Sequence, residues 1–266
     1  MSRATFLQMG ERRYTQDEAR DVIVQAGLDL VVEHGPSLGL EHVTFAEAIE
    51  RADVPRPTAY RAFATNDDAA PQARFRSEVA LRLVNSCAFS DLTPVLEATA
   101  DILTEAIDPG VTDRDLTWLL REAVRTAGLV YQRLCREDSL YPAYFTVLLA
   151  AQRAEGSLLD ELIREQDASA KSFIDAYQLV LDTFGVRLRA GWTWTMFASC
   201  IGTATTGSYL RGKISLMEEE VPRPTGRNGE LLAWNEFGIV AEAIFMSAVE
   251  PDPKMKVSAN PLDWVG

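Results

Sequence analysis

The sequence predicts an all-α protein: a three-helix N-terminal head over residues 1–66, a helical bundle over 67–250 and a flexible tail over 251–266. Three observations carry this expectation. Apolar residues recur three and four positions apart through most of the chain. No stretch of useful length alternates as a half-buried strand would. Proline, glycine and aspartate interrupt the pattern about one helix length apart.

The first helix spans Thr15–His34, with Ala19, Val22, Ile23, Ala26, Leu30 and Val31 along one side. Thr15 followed by Glu18 has capping-box spacing, and Gly35 is a helix stop. A polar loop, Pro36–His42, leads to a two-turn helix over Thr44–Ala52, with Thr44 as N-cap and Glu47 three residues on. Asp53–Pro55 breaks it, and a third short helix runs to Phe63 or Ala64. Pro57 biases Arg56 away from helical angles, which predicts that this helix starts one residue late. Thr65–Pro71 is the next break. Longer helices are expected over Gln72–Phe89, Pro94–Ile107, Asp113–Glu137, Pro142–Ala154, Leu158–Phe184, Arg187–Leu210 and Glu230–Val249. Glu218–Gly229, with its acidic run, two prolines and two glycines, is expected to be an exposed loop. The tail from Pro251 contains proline and lysine and is expected to be partly disordered.

Twenty-six Lys and Arg stand against 39 Asp and Glu, a formal net charge of −13. That disfavours a protein whose whole surface holds nucleic acid or anionic lipid, and leaves room for one small cationic face. Cys87, Cys135 and Cys200 are widely spaced and odd in number, which argues for a reducing, cytoplasmic setting. The two histidines, His34 and His42, have no Cys or His neighbour at ligand spacing, so no structural zinc is expected and no cofactor is implied. The first ten residues lack the basic start and apolar core of a signal peptide. Twenty-one uncharged residues lie between Arg189 and Arg211, long enough to span a bilayer. Seven are Ser or Thr and three are Gly, which reads as a helix packed within protein rather than in lipid. A phosphate loop, a nucleophile elbow and a histidine placed as a base are all missing, so no enzymatic activity is expected.

The short front helices carry the functional signal. A two-turn helix, a tight break and a second short helix have helix-turn-helix proportions, in which the second helix enters the major groove and the first braces it. Ala59 and Phe63, at i and i+4, would face the core and leave Arg56, Tyr60 and Arg61 outside. Thr44, Thr58 and Tyr60 supply hydroxyls of the kind that donate to phosphate oxygens. Through residue 80, nine basic residues stand against thirteen acidic ones, a balance of −4 that predicts shallow salt dependence of any DNA complex.

The long helix ending in EHG, followed by TFAEAIERADVPRPTAYRAFATNDDA, resembles the TetR family of bacterial transcriptional regulators over about Tyr14–Ala70, a fifth of the chain. The resemblance implies a homodimeric DNA-binding protein, usually a repressor, released from its double-stranded operator when a small-molecule effector enters the helical domain. By position, Thr44, Thr58 and Tyr60 would contact phosphates, and Arg56 and Arg61 would contact bases or backbone. The segment departs from the family pattern at Asp53, where glycine is usual, and at Pro55 and Pro57, which bracket Arg56. It departs again at Asn66–Asp68, where a lysine normally points at phosphate.

Aromatic residues on the central helices are candidates to wall an effector cavity, or simply to fill the core. Trp118, Tyr131, Tyr144, Phe173, Tyr177 and Trp194 are the candidate ligand contacts, with Arg125 as an anchor for an acidic group. The helices near 187–210 and 230–249 are apolar on more than one face, as expected of a symmetric homodimer interface. The competing reading is a helical small-molecule or protein binding module that keeps the fold with weak or lost DNA binding.

Overall fold

The computed structural model describes residues 14–35, 40–64, 70–86, 91–108, 110–151, 157–211 and 220–252. Helices dominate it, and the chain is all-α with two small two-stranded sheets among the described residues. Two compact units divide it, one from Met1–Ser86 with Pro142–Leu162, the other from Cys87–Tyr141 with Ile163–Gly266.

In the first unit, α1 (Gln16–His34) begins at a capping box. The Thr15 hydroxyl accepts the Glu18 N–H, and the Glu18 carboxylate accepts the Thr15 N–H at 2.8 Å. The helix ends at Gly35, whose φ of +76° and ψ of 179° suit glycine alone. The same reciprocal cap, Thr44 with Glu47, starts α2 (Phe45–Arg51). Next comes α3 (Arg56–Ala62), then α4 (Pro71–Ser86). Helix α1 packs against α2, α3 and α4, and α2 packs against α4. Ile23, Ala48, Ala59, Phe63, Phe75 and Val79 are buried between them. Helices α1 and α4 approach so closely at Gly27 that an added Cβ would lie 2.7 Å from Phe75 Cζ. The remaining helix of this unit is α7 (Tyr141–Ala151), whose first residue belongs to the second unit.

The third helix does not start late. Arg56 is its first residue, with Pro55 as N-cap and Pro57 in the first turn. A first-turn residue has no intrahelical N–H bond to lose, so proline is tolerated there. The Pro55 carbonyl accepts the N–H groups of Thr58 at 2.8 Å and Ala59 at 3.0 Å, closing that turn.

The second unit contains α5 (Thr93–Ala106), α6 (Asp113–Glu137), most of α8 (Ser157–Thr183), α9 (Trp194–Arg211) and α10 (Glu236–Ala248). Helix α6 packs against α5, α9 and α10, and α9 packs against α10. Phe197, Leu119, Leu181 and Trp234 are buried there. None of the described helices is long and apolar enough to cross a membrane.

Three sequence expectations fail in this unit. Residues 187–188 are not the start of a helix: β1 (Val186–Leu188) pairs antiparallel with β4 (Val249–Pro251). Helix α9 starts only at Trp194, after a turn in which Gly191 has φ +92°. The stretch expected as an exposed loop contains β2 (Val221–Pro224), paired with β3 (Leu231–Trp234), where helix was expected. Each strand is only three or four residues long, too short for an alternating pattern to stand out. Their pairing depends on residues that are distant in sequence or lie across a glycine turn. Asn235 then caps α10 by accepting the Gly238 N–H at 2.6 Å.

Candidate nucleic-acid interface

The turn between α2 and α3 is a Schellman motif. The Val54 N–H donates to Ile49 O at 3.3 Å and the Asp53 N–H to Glu50 O at 3.2 Å. Val54 and Ile49, the hydrophobic pair of that motif, are both buried. Asp53 occupies the left-handed position at φ +50°, where glycine is the usual residue.

Buried Ala59 and Phe63 seat α3 on the core. Phe63 meets Phe45 edge-on at 4.9 Å, and Phe45 in turn meets Phe75 at 5.4 Å. This leaves Arg56, Tyr60 and Arg61 outward, as the helical spacing predicts. Tyr60 is 53% exposed with its ring edge-on to Phe45 at 5.4 Å, so its position is fixed by packing. Arg56 has no ion-pair or hydrogen-bond partner among the described residues. Arg61 lies back along its own helix, Nε donating to Pro57 O at 3.2 Å and Nη2 to Thr58 Oγ1 at 3.3 Å. The Thr44 hydroxyl donates to the Glu47 carboxylate at 2.6 Å, and these bonds hold that carboxyl below its ordinary range. Arg51, next to the turn, is paired with Glu33. Of the five residues singled out, all lie on or beside α2 and α3, and Arg56 and Tyr60 are the two whose polar ends have no partner among the described residues. Asn66–Asp68 lies outside the described residues.

The candidate ligand residues fall into three places. Tyr131, Phe173, Tyr177 and Trp194 form one run of rings in the second unit. Tyr131 meets Phe173 at 6.0 Å, Phe173 meets Tyr177 at 6.3 Å, and Tyr177 and Trp194 meet Phe197 at 5.3 and 6.3 Å. Burial pushes the hydroxyls of Tyr131 and Tyr177 above their ordinary values, and pushes the Cys135 thiol up to about 12. The Tyr177 hydroxyl has no hydrogen-bond partner among the described residues. Trp118 and Arg125 instead brace the β2–β3 hairpin. Trp118 Nε1 donates to Thr225 O at 3.1 Å and Arg125 Nη1 to Ala233 O at 3.2 Å, while Glu122 neutralises Arg125. Tyr144 belongs to the first unit and packs edge-on to Phe145 at 5.9 Å.

Helices α9 and α10 pack against each other, and both carry exposed apolar and small residues among the described residues. Met196, Leu210 and Val240 are 48%, 58% and 41% exposed, and Ser199, Gly202, Thr203, Ala243 and Ser247 are exposed beside them. Among the described residues, nothing lies within 4 Å of where a Cβ would stand on Gly202 or Gly207. Sequence periodicity missed Gln72 and Arg20, whose side chains bond backbone groups of the helix-turn-helix. It also missed Asn235, which donates to Gly128 O at 2.9 Å. Polar residues on helices read as solvent-facing, and nothing local marks a distant carbonyl as their partner.

No family model and no curated protein matches the chain. Among solved structures it is similar to one assigned to the TetR family of transcriptional regulators, from Mesorhizobium loti. That match has 13% identity, covers 88% of this chain and 96% of the other, and has a TM-score of 0.43. It is also similar to NalD, the secondary repressor of the MexAB-OprM multidrug efflux pump in Pseudomonas aeruginosa. Here identity is 18%, coverage 88% and 98%, and the TM-score 0.40. At these identities and scores, the function of the α2–α3 surface rests on its own geometry.

Proposed function

We propose that this chain is a ligand-responsive, homodimeric DNA-binding transcriptional regulator, acting as a repressor released by a small molecule, with α3 as its recognition helix. The single observation that carries the reading is α3 itself. It is a short helix set on a buried Ala59–Phe63 seam after a Schellman turn, with Arg56 and Tyr60 directed outward and their polar ends unengaged among the described residues. The exposed apolar and small residues of α9 and α10 support pairing of two copies, since small residues let helices approach closely. The Tyr177 hydroxyl, set in a run of aromatic rings, supports an effector site that takes an aromatic or apolar molecule with one polar group. This reading assigns no catalytic step to the chain.

The test is a mobility shift with the full chain and DNA flanking its own gene, together with sedimentation. Arg56→Ala combined with Tyr60→Phe should weaken the complex at least about tenfold, since one good base contact is worth about 1–3 kcal/mol. Ala243→Arg, among those exposed residues of α10, should convert dimer to monomer. A wild-type chain that gives no shift, or a shift indifferent to the double substitution, refutes the DNA reading. A monomeric wild type refutes the dimer.

A second reading is favoured by specific observations: a module of this fold that binds small molecules or proteins and has lost tight DNA binding. Asp53 places a negative charge in the turn, Glu47 occupies the Thr44 hydroxyl, and Arg61 bonds its own helix. A selective, nanomolar complex at low salt excludes it.

A further inference from the structure

Two polar rows run along the first turns of α4, one on each side of the buried Phe75 and Val79, and each grips the helix-turn-helix through its backbone. Gln72 and Arg76 form one row. Gln72 Oε1 accepts the Phe45 N–H at 2.8 Å and its Nε2 donates to Val43 O at 3.3 Å, so one amide brackets the start of α2. Arg76 Nη2 donates to Glu41 O at 3.0 Å. Arg74 and Glu78 form the other row. Arg74 Nη1 donates to Ala64 O at 3.3 Å, and its Nε donates to Glu78 Oε1 at 2.9 Å. The same Glu78 oxygen lies 3.7 Å from Arg20 Nε of α1. Arg20 in turn donates to Ala62 O through Nε at 3.2 Å and Nη2 at 2.7 Å.

The groups gripped are those a short helix cannot satisfy itself. Phe45 N–H is one of the orphan donors at the start of α2, and Ala62 O is one of the orphan acceptors at the end of α3. Cationic guanidinium groups at a helix C-terminus also oppose its dipole. Apolar packing through Phe63 and Phe75 holds α3 near α4 without fixing its angle, because burial is non-directional. Hydrogen bonds at both ends of the motif do fix it. Helices α2 and α3 have only seven residues each, so their own packing surface is small.

We propose that Gln72, Arg74 and Glu78, with Arg20, are positioning residues for the recognition helix, so that the angle at which α3 meets DNA is set by α4. This rests on the DNA-reading function proposed above. None of these side chains belongs to the apolar core, so the role is separated from fold stability by comparing selective with non-selective DNA binding of the same variant.

The test uses the full chain, a duplex selected by the wild type from a random-sequence library, and poly(dI-dC) as non-selective DNA. Amide exchange is followed by mass spectrometry in parallel. Gln72→Met and Glu78→Gln should each lower affinity for the selected duplex about tenfold, the cost of one mispositioned base contact. For Gln72→Met, which changes no charge, affinity for poly(dI-dC) and its salt dependence should stay unchanged; Glu78→Gln removes a negative charge and should not lower that affinity. Exchange over residues 44–63 should quicken in both. Gln72→Glu keeps the acceptor for Phe45 N–H and should recover most of the selective affinity. Equal losses on both DNAs, unchanged exchange, or faster exchange with selective affinity intact each overturn the positioning role. If the wild type selects no duplex at all, the DNA-reading function fails on the unsubstituted protein, and the positioning role falls with it. That outcome is distinct from a failure of the variants alone.

Discussion

Asp53 is the position where replacing one residue should improve the protein. It sits at φ +50° in the C′ position of the Schellman motif that ends α2, with its N–H bonded to Glu50 O at 3.2 Å. For a residue with a side chain this backbone costs about 1–2 kcal/mol, less for Asp and Asn, whose short side chains tolerate it. The carboxylate also lies at the negative end of α2, unfavourable by about 0.3–1 kcal/mol. Asp53→Gly removes both penalties and gives back about 0.5 kcal/mol through greater freedom of the unfolded chain. The net gain is about 1 kcal/mol, or about 2–4 °C for a chain of this length. Asp53→Asn keeps the backbone tolerance and removes only the charge, so it should gain about 0.3–1 kcal/mol. Asp53→Ala removes the charge but loses the local tolerance, and should fall below Asn by about 1 kcal/mol. Urea unfolding followed by far-UV circular dichroism, with calorimetry for the midpoint, ranks the series. The expected order is Gly, then Asn, then wild type, with Ala below Asn. If Ala equals Gly, the left-handed turn is not what limits this site and the cap assignment is refuted.

Two further outcomes follow from the second unit. Gly128→Ala puts a methyl group 2.8 Å from Gly238 Cα where α6 crosses α10, and should cost about 1–3 kcal/mol of overpacking in urea unfolding; an unchanged midpoint would show that the crossing is slack. The Asp115 carboxyl is held down to about 2 from 3.8, chiefly by the Thr112 hydroxyl and then by Arg227, whose Nη2 is 2.8 Å away. A depressed carboxyl stabilises the fold above its unfolded value and loses that contribution as pH falls through the folded one. Arg227→Met should therefore lower the unfolding midpoint at pH 6, by a small amount because the pair is exposed, and the gap should close between pH 4 and pH 2. A gap that does not change with pH assigns the loss to packing of Arg227 over Trp118 instead.

What local chemistry dictates, the sequence by itself determined. Capping boxes at Thr15 and Thr44, the Gly35 stop and the bounds of Asp113–Glu137 all follow from residues within four positions of one another, and all are present in the structure. The outward set of Arg56, Tyr60 and Arg61 follows equally from helical spacing once Ala59 and Phe63 are placed inside. Tertiary structure decided the rest. The pairing of 186–188 with 249–251 joins segments more than sixty residues apart, and neither strand is long enough to announce itself. Trp118 and Arg125 have the look of pocket residues in a list of aromatics and cations. Their actual partners are the carbonyls of Thr225 and Ala233, brought to them by a hairpin that begins about a hundred residues later. Gln72 and Arg20 read as surface polar residues until the chain folds and places α4 and α1 against the ends of two short helices. Caps and periodicity are properties of neighbouring residues and so are written locally. Side-chain bonds to a distant backbone depend on where burial has already brought that backbone.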